Sequence, residues 1–467
     1  MIWKISSVVV LGPLMSTLDS TAVNLSLSTL ITELHSPLTQ IQWVTTGYLL
    51  ALTLTLPLSG WLVDHLGAKR VYLGCFTLFT LASLLCGSAQ SASALIGFRV
   101  LQGMAGGLLA PMAQMMMAKV AGPHMARVMG FMSIPVLVGP IFGPVLAGAI
   151  LQHFSWRWIF LINLPIGIVA TALAFRILPA DAHEIRPRAF DLKGFLLLSP
   201  GLVLLLHSLE SLSSSSGLTP IGIIEMIVAI TLLAAFIQHG RRLGPAALID
   251  VHLFSRPAFS ASALTQFFSN AHAFGGQMLL PLYLLQVLGR SPSSAGLLLA
   301  PAGIGAIVAM PTMGVLTERF GSRKVAMTGA SMALVGTLPF LLLEPRGLSI
   351  PVLCTALFVR GVGMSSVGIP SIAAAYLGIP KPIIPVATTT INIAQRIGGP
   401  VATTLLAIIL HFGLTTHVSD APHAFVTTFG VLCAIHAACI AAALRLPGKE
   451  AKPSQDQLLL AVETLEE

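Results

Sequence analysis

The sequence predicts an all-α membrane protein that is built from two similar halves. Hydrophobic residues make up 55% of the 467 residues, charged residues make up only 9%, and the mean hydropathy is +0.88. A soluble domain carries about 25% charged residues, so this chain could not cover a surface that faces water. A short pattern of glycines, one acid and two basic residues also occurs twice, 254 residues apart. Such repeats in corresponding apolar regions are typical of membrane proteins with an internal repeat.

Fourteen apolar runs are long enough to cross a membrane as helices, since a spanning helix needs about 20 such residues. Met1 to Leu18 is similar to a signal peptide, but Asp19 interrupts the pattern and no cleavage site follows, so we expect a retained first helix. The short polar gaps give the approximate limits of the runs: 7–29, 42–62, 72–90, 94–118, 127–152, 157–178, 194–212, 219–239, 258–287, 294–317, 325–343, 349–376, 385–410 and 424–445.

The 25 lysine and arginine residues indicate the orientation of the chain in the membrane. If the N-terminus is cytoplasmic, nineteen fall in cytoplasmic segments, three in outer loops and three within spans, namely Arg99, Arg360 and Arg396. Cytoplasmic loops are enriched in Lys and Arg, and one span more or fewer would remove the bias. The sequence therefore predicts fourteen spans and two cytoplasmic termini.

Repeated sequence patterns divide the chain into two six-helix halves with two inserted spans between them. A series of Phe, Arg, Gly-Met and Pro at residues 98–111 in the fourth span recurs at residues 358–370 in the twelfth. The tail is short and polar, and we expect it to be disordered. The predicted domains are an N-terminal half at 1–178, a linker with two inserted helices at 179–256, a C-terminal half at 257–445 and a cytoplasmic tail at 446–467.

The repeated pattern lies in a short turn between two spans of each half. The first copy reads G-W-L-V-D-H-L-G-A-K-R over residues 60–70, and the second reads G-V-L-T-E-R-F-G-S-R-K over residues 314–324. Glycine lets two helices approach closely, and an acid there can pair with a basic residue or a helix N-terminus in the facing half. A basic loop that only sets orientation is the alternative. We interpret the turns as conformational latches that consist of Gly60, Asp64, Gly67, Lys69, Arg70, Glu318, Arg323 and Lys324.

These motifs resemble those of the major facilitator superfamily, whose inner-loop signature is G-x-L-x-D-x-x-G-x-[KR]-[KR]. The first copy matches the signature completely, and the second has Glu318 in place of Asp. L-D-S-T-A-V-N at residues 18–24 and W-R-W-I-F-L-I-N-L-P-I-G at residues 156–167 are similar to signatures of the fourteen-helix drug:proton antiporters of the EmrB/QacA type. The resemblance covers residues 10–445. It implies a major facilitator fold and export of organic compounds in exchange for protons.

Asp19 is the first candidate for proton coupling, because it lies near the middle of the first span with no Lys or Arg close in sequence. A lone carboxylate there costs about 2.5–3.5 kcal/mol on insertion scales, so it must face a cavity or a partner. Arg99 and Gln102 share one face of the fourth span, and a buried guanidinium needs an acceptor. The resemblance also associates the first-helix Asp and the R-x-x-Q-G motif with proton transfer. Helix capping or packing is the alternative role.

The fifth span contains the pattern G-P-I-F-G-P at residues 139–144. Prolines within a span kink it, and glycines four residues apart let another helix pack closely. Generic packing of small residues is one interpretation. In the superfamily this pattern is characteristic of exporters, so we interpret Gly139, Pro140, Gly143 and Pro144 as a gate hinge.

Other polar residues within spans are candidates for a substrate cavity. Glu210 and Glu225 lie in the inserted spans, where we expect no coupling role. His436 and Cys439 are too few to make a metal site, and the sequence has no phosphate-binding loop, so we expect no metal and no cofactor. The cavity candidates are Asn24, Gln42, Tyr48, His272, Gln277, Asn392 and Arg396.

The sequence therefore predicts proton-coupled efflux of amphipathic, cationic or neutral organic compounds across a bacterial inner membrane, by a protein that is not an enzyme. Expected partners are the substrate, protons and the lipid bilayer, without nucleic acid; a periplasmic adaptor and an outer-membrane channel could complete the path. The core of the last six spans lacks acids, which argues against dicationic substrates. A dedicated exporter of one metabolite, an uptake symporter, and a non-transporting receptor or scaffold are the alternatives. Whether His272 shares the coupling role stays open.

Overall fold

The computed structural model describes residues 2–121, 124–180, 189–213, 219–341, 349–416 and 421–448. Within these ranges the regular structure is helical, which confirms the predicted all-α class. Short 3₁₀ turns join some of the helices. In chain order the α-helices are α1 Ile2–Val9, α2 Leu11–Glu33, α3 Leu38–Ile41, α4 Trp43–Thr55, α5 Leu58–Leu66, α6 Ala68–Ser88, α7 Ala92–Ala121, α8 Met125–His153, α9 Trp158–Leu161, α10 Asn163–Ile177, α11 Leu192–Ser213, α12 Pro220–Leu243, α13 Pro257–Gln286, α14 Pro292–Phe320, α15 Ser322–Val335, α16 Ile350–Ala375, α17 Ile384–Thr416 and α18 Ala421–Leu444.

The helices are long and apolar enough for a membrane protein. By length and composition, eleven helical segments in the described ranges can cross a membrane, and the bent pair α4–α5 makes twelve. Helices α8 and α13 are not among these twelve, although they contain 29 and 30 residues. The multi-pass membrane protein is confirmed, whereas the count of fourteen spans and the cytoplasmic position of both termini stay predictions.

The second predicted span is broken into α4 and α5, which meet at an angle of 56°. Pro57 lies at the break, and a proline has no N–H to continue the helical hydrogen bonds. Beyond the break, α5 packs against α17. The short helix α5, which carries the first half of the repeated motif, therefore contacts a helix from the far end of the chain.

Helices pair in the same pattern before and after the inserted helices. In the N-terminal helix set, α1–α10, helix α2 packs on α8, α4 packs on α7, and α6 packs on both α7 and α10. In the C-terminal helix set, α13–α18, helix α13 packs on α17, α14 packs on α16, and α15 packs on both α16 and α18. Helices at corresponding positions in the two sets therefore pair in the same way, in agreement with the repeated sequence motifs. The exact domain limits stay predictions.

The inserted helices α11 and α12 pack on each other, and α11 contacts α4 on one side and α17 on the other. The Thr404 hydroxyl of α17 donates to the Leu209 carbonyl at 2.8 Å. The insert thus touches both helix sets. Its apolar contacts form a cluster of Leu56, Leu198, Leu202, Phe236, Ile249 and Ile393.

Asp191 connects the start of α11 to the end of α12. Its carboxylate accepts hydrogen bonds from the backbone N–H groups of Gly194 and Leu248, at 2.8 and 3.0 Å, and lies 2.8 Å from His239 Nε2. Partial burial raises the pKa of Asp191, but these hydrogen bonds stabilise the charged form more strongly, so its pKa lies below the ordinary value. The ionised side chain therefore holds the two inserted helices and the following segment together.

Candidate functional site

A buried polar network lies inside the N-terminal helix set, where Asp19 of α2 meets Arg99 and Gln102 of α7. Arg99 Nη1 donates to Asp19 Oδ2 at 2.5 Å and to Gln102 Oε1 at 2.6 Å, and Gln102 Nε2 donates to Asp19 Oδ1 at 3.0 Å. The side chains of Asp19 and Arg99 are both 0% exposed. The structure thus brings the three predicted proton-coupling residues into direct contact.

Two residues that were not selected from the sequence complete this network. Asn163 Nδ2 of α10 donates to Asp19 Oδ1 at 2.8 Å, and Ser83 Oγ of α6 accepts from Gln102 Nε2 at 2.6 Å. Asn163 belongs to the W-R-W-I-F-L-I-N motif, and this membership could have identified it as a candidate site residue. Ser83 lies in an ordinary apolar run, where nothing in the sequence distinguishes it.

The other side of the Arg99 guanidinium faces an aromatic ring. Its central carbon lies 4.1 Å from the centre of the Tyr48 ring, a cation–π contact, and its Nε donates to the Val44 carbonyl at 3.1 Å. The Tyr48 hydroxyl lies 2.7 Å from Ser16 Oγ. Tyr48, a predicted cavity residue, is thus one wall of the buried network, and 1% of it is exposed.

The network keeps one negative and one positive charge in balance away from water. Removing one partner of a buried ion pair leaves an uncompensated charge, which is strongly unfavourable. A proton on Asp19 would remove its charge and leave Arg99 without a counter-charge. The charge of Arg99 is therefore balanced while Asp19 is ionised.

The two helix sets contact each other close to the turns at Gly67 and Gly321, and we call this end of the bundle the basic-loop end. Glu318 of α14 accepts a hydrogen bond from Arg127 Nη2 of α8 at 2.6 Å. His124 Nδ1 lies 3.4 Å from the same carboxylate. A residue of the predicted latch therefore forms an ion pair between the two sets.

Two further hydrogen bonds join the sets near the basic-loop end. The hydroxyls of Ser59 in α5 and Thr389 in α17 lie 2.7 Å apart. Asn392 Nδ2 of α17, a predicted cavity residue, donates to Gln114 Oε1 of α7 at 2.8 Å. Together with Glu318, these contacts close the basic-loop end in this conformer.

The first glycine of each repeated motif lies where a helix of the opposite set packs closely against it. A Cβ atom added at Gly314 would lie 2.6 Å from Arg127 Cα, in the backbone of α8. A Cβ atom added at Gly60 would lie 3.2 Å from Thr389 Oγ1 of α17. Real Cβ atoms do not approach a backbone to 2.6 Å, so Gly314 is the tighter of the two contacts.

The second glycine of each motif has a backbone conformation that favours glycine. Gly67 has φ 90° and ψ 152°, and Gly321 has φ 86° and ψ 154°. Each glycine ends one helix and directly precedes the next, which produces the tight turn. Residues with a Cβ atom scarcely populate this region. The near-identical angles show that the repeated sequence forms the same turn twice.

We expect Gly67→Ala and Gly321→Ala each to destabilise the folded protein by about 1–3 kcal/mol, the usual cost of a strained backbone conformation. A lower midpoint of thermal unfolding in detergent would measure this. Gly296→Ala in α14 is the matched control, because a Cβ atom there would meet no other atom within 4 Å. An unfolding midpoint of Gly67→Ala equal to that of Gly296→Ala would contradict the interpretation.

The first residue of the basic pair that ends each motif ties the turn to the last helix of its own set. Lys69 Nζ donates to the Leu178 carbonyl at 2.8 Å, at the end of α10. Arg323 Nε donates to the Leu446 carbonyl at 2.6 Å, just beyond α18. Basic groups are favourable at helix C-termini, where carbonyls lack partners. The remaining latch residues are Asp64, which is partly exposed in the last turn of α5, and the exposed Arg70 and Lys324.

The predicted gate hinge lies in α8, which packs on α2. A Cβ atom added at Gly143 would overlap Thr21 Oγ1, and Thr21 Oγ1 donates to the Gly139 carbonyl at 3.3 Å. Gly143 therefore does contact another helix closely, but that helix belongs to its own set. Pro140 and Pro144 lie in α8, and their side chains fall outside the described residues.

His272 of α13 lies in the interior of the C-terminal helix set. Its ring centre is 4.4 Å from that of His436 in α18, and neither of its ring nitrogens has a hydrogen-bond partner among the described residues. Arg360 Nη2 of α16 donates to the His272 carbonyl at 3.0 Å. The described residues place no acid in contact with this cluster, in contrast to Asp19 in the N-terminal set.

The remaining cavity candidates differ in their surroundings. Asn24 Oδ1 of α2 accepts from Thr45 Oγ1 at 3.3 Å. Gln42 and Gln277 are exposed, and Arg396 is partly exposed. The structure does not bring these residues into one cluster.

Comparison with known proteins identifies the family. The model of the Major Facilitator Superfamily matches residues 9–403 and 262–458. The chain belongs to this superfamily. The predicted superfamily is therefore confirmed, and the protein is a transporter rather than an enzyme.

Two curated relatives match most of the chain. It is 36% identical over 415 residues to a multidrug resistance protein B homolog of Mycobacterium tuberculosis, covering 88% of this chain and 76% of that protein. It is 35% identical over 340 residues to the putative multidrug resistance protein MdtD of Salmonella paratyphi B, covering 71% of this chain and 70% of that protein.

Solved structures show the same fold at low sequence identity. The proton:xylose symporter XylE with bound 6-bromo-6-deoxy-D-glucose superposes with a TM-score of 0.66 at 15% identity, covering 98% of both chains. A bacterial homologue of the iron transporter ferroportin in an outward-facing state gives a TM-score of 0.62 at 14% identity, covering 94% of this chain and 99% of that chain. The helix arrangement is therefore that of the superfamily.

Proposed function

We propose that this protein exports amphipathic organic compounds across a bacterial inner membrane in exchange for protons. The observation that carries the proposal is the buried contact of Asp19 with Arg99, Gln102 and Asn163. Protonation of this carboxylate is linked to helix movement, as a proton-driven transporter requires. The relatives named as multidrug resistance proteins support organic compounds as substrates.

In this proposal the protein has fourteen membrane spans and both termini in the cytoplasm. Helices α8 and α13 cross the membrane in addition to the twelve candidates, since 29 and 30 residues exceed the roughly 20 that a span needs. The distribution of Lys and Arg supports the orientation. The basic-loop end is then cytoplasmic, and the halves at 1–178 and 257–445 are the two moving bodies.

The conformer described here is then closed on the cytoplasmic side, which corresponds to an outward-facing or occluded state. The contacts of Glu318 with Arg127 and of Ser59 with Thr389 act as the latch that holds it. A proton that reaches Asp19 from outside upsets the charge balance, and α2 shifts along the glycines of α8. The latch then opens and the proton leaves to the cytoplasm. A substrate molecule then enters the space between the sets and is exported in the next step.

The test uses everted membrane vesicles with a respiration-driven pH gradient and a panel of amphipathic drugs. We expect addition of a transported drug to release protons and dissipate the gradient, since antiport exchanges one for the other. Vesicles without the protein and vesicles with Asp19→Asn serve as controls. If no drug dissipates the gradient in wild-type vesicles but uptake into whole cells is proton-driven, the protein is a symporter instead. A periplasmic adaptor and an outer-membrane channel stay predicted partners, which affinity capture from cross-linked cells would test.

A further inference from the structure

The C-terminal helix set carries positive charge inside its helices without a matching acid. Arg360 lies in α16 and Arg396 lies in α17. Among the described helices α13–α18, Glu318 is the one acidic residue, and it lies at the basic-loop end in an ion pair with Arg127. Neither arginine therefore has a carboxylate of its own helix set beside it.

Arg360 is enclosed in the helix set. It is 3% exposed, and its guanidinium donates to the His272 carbonyl. A Cβ atom added at Gly276 would overlap this guanidinium, so the glycine makes the room that the arginine occupies. Arg360 contributes positive charge to the surroundings, but it is not placed to touch a substrate.

Arg396 has a different environment. It lies twelve residues into α17, about 18 Å along the helix axis and hence near the middle of a bilayer core of about 30 Å. Its side chain is partly exposed, and among the described residues it forms neither a hydrogen bond nor an ion pair. Arg396 lies near enough to Tyr48 of α4, in the opposite helix set, for the two groups to sense each other's charge if Tyr48 were ionised. A charged group at this depth faces a water-filled cavity or a partner, so Arg396 faces the space between the sets.

An exposed aromatic ring packs on α17 one helical turn beyond Arg396. Gly399 follows Arg396 by three residues and therefore lies on the same face of α17. A Cβ atom added at Gly399 would lie 2.9 Å from Phe274 Cδ2 of α13, and Phe274 is 48% exposed. Among the described residues, a cation without a hydrogen-bond partner and an accessible ring therefore lie about one helical turn apart along the same face of α17.

In the part of the chain that the structure describes, the opposite wall offers no negative charge to balance Arg396. Asp19 is already neutralised by Arg99, and the side chains of both are 0% exposed. The mid-membrane groups Asp19, Arg99, Arg360 and Arg396 therefore sum to two positive charges. Such a cavity attracts anions and repels cations.

We propose that the transported compounds are amphipathic organic anions, carboxylates with an aromatic or alkyl body, and that Arg396 binds their carboxylate. The planar guanidinium matches a carboxylate with two parallel hydrogen bonds, and Phe274 contacts the apolar body. This inference rests on the proposed export function and names its substrate class. It replaces the expectation of cationic substrates.

The test measures binding to the full-length protein in nanodiscs of zwitterionic lipid, without a proton gradient. The probes share one body: 2-naphthoate, 2-naphthamide and 2-naphthylmethylammonium. We expect the carboxylate to bind about 10- to 100-fold more tightly than the amide, the range for hydrogen bonds to a charged group. Arg396→Gln should remove this preference, whereas Arg396→Lys, which keeps a point charge, should retain part of it. Arg241→Gln, which removes an exposed charge at the end of α12, is the control and should change nothing.

Three results would overturn the inference: tighter binding of the ammonium probe, equal binding of all three probes by the wild type, or an unchanged carboxylate preference in Arg396→Gln. Unfolding midpoints close to that of the wild type would show that the variants are folded. Because binding needs no gradient, its outcome is separate from that of the vesicle test. Carboxylate preference without drug-driven proton release would count against antiport alone, and the reverse would count against the anion site alone.

Discussion

Asp19→Asn should abolish drug-driven proton release in everted vesicles and should also lower the stability of the protein. Asparagine keeps the size of the side chain and can still bond to Gln102 and Asn163, but it cannot carry a charge or exchange a proton. The Arg99 guanidinium, which is fully buried, then has no counter-charge. Breaking a buried ion pair in this way costs about 3–5 kcal/mol. Both effects follow from the same contact.

A double variant separates the two effects. Asp19→Asn with Arg99→Gln leaves a neutral network of amides, so most of the lost stability should return while proton release stays absent. Thermal unfolding in detergent and the vesicle assay measure the two properties on the same preparations. A double variant as unstable as Asp19→Asn alone would show that charge balance is not the cause. Full proton release by Asp19→Asn would place the coupling acid elsewhere.

Gly314→Val should prevent the basic-loop end from closing and should stop export. The new side chain would collide with the backbone of α8 at Arg127, which cannot rotate away as a flexible side chain could. Overpacking of this kind costs about 1–3 kcal/mol, which shifts a two-state equilibrium by about 5- to 150-fold. The conformer that is open at the basic-loop end gains this population. Transport needs both conformers, so export falls with the loss of one.

Spin labels on α8 and α14 at the basic-loop end, in a cysteine-free background, would measure this shift as a longer distance distribution. Gly60→Ala is the matched control, since its Cβ atom would meet the Thr389 hydroxyl at 3.2 Å rather than a backbone at 2.6 Å. It should have a milder effect on both distance and export. An unchanged distance distribution in Gly314→Val would mean that this contact does not control closure.

Charged residues inside apolar runs made the N-terminal network predictable. Asp19 and Arg99 are conspicuous in sequence because either charge alone would be costly in a membrane, and the structure places them in contact. Ser83 and the carbonyl of Val44 were not predictable, because serines and backbone groups occur throughout every span. Their part in the network depends on how the helices are packed, which a single sequence does not encode locally.

The sequence predicted which types of contact join the helix sets, but it did not identify the residues that pair. The repeated glycines indicated close helix approach, and the acid at position 318 indicated an ion pair. Arg127 is 191 residues away from Glu318, so only the packed fold identifies it as the partner. In the same way, the spacing of Gly139 and Gly143 indicated a helix contact, whereas the structure identifies α2 as the helix. The sequence indicated Arg396 as a cavity residue, but only coordinates show that it forms no hydrogen bond or ion pair with another described residue.

The position of the inserted helices makes the two sides of the transporter unequal. Between the helix sets there are two seams, one where α5 meets α17 and one where α8 meets α14. Helix α11 lies along the first seam, against α4 and α17, and so covers one flank of it. Among the described helices, none is inserted in this way at the second seam. We therefore expect a compound dissolved in the bilayer to reach the space between the sets past the second seam, because among the described helices α11 covers the first.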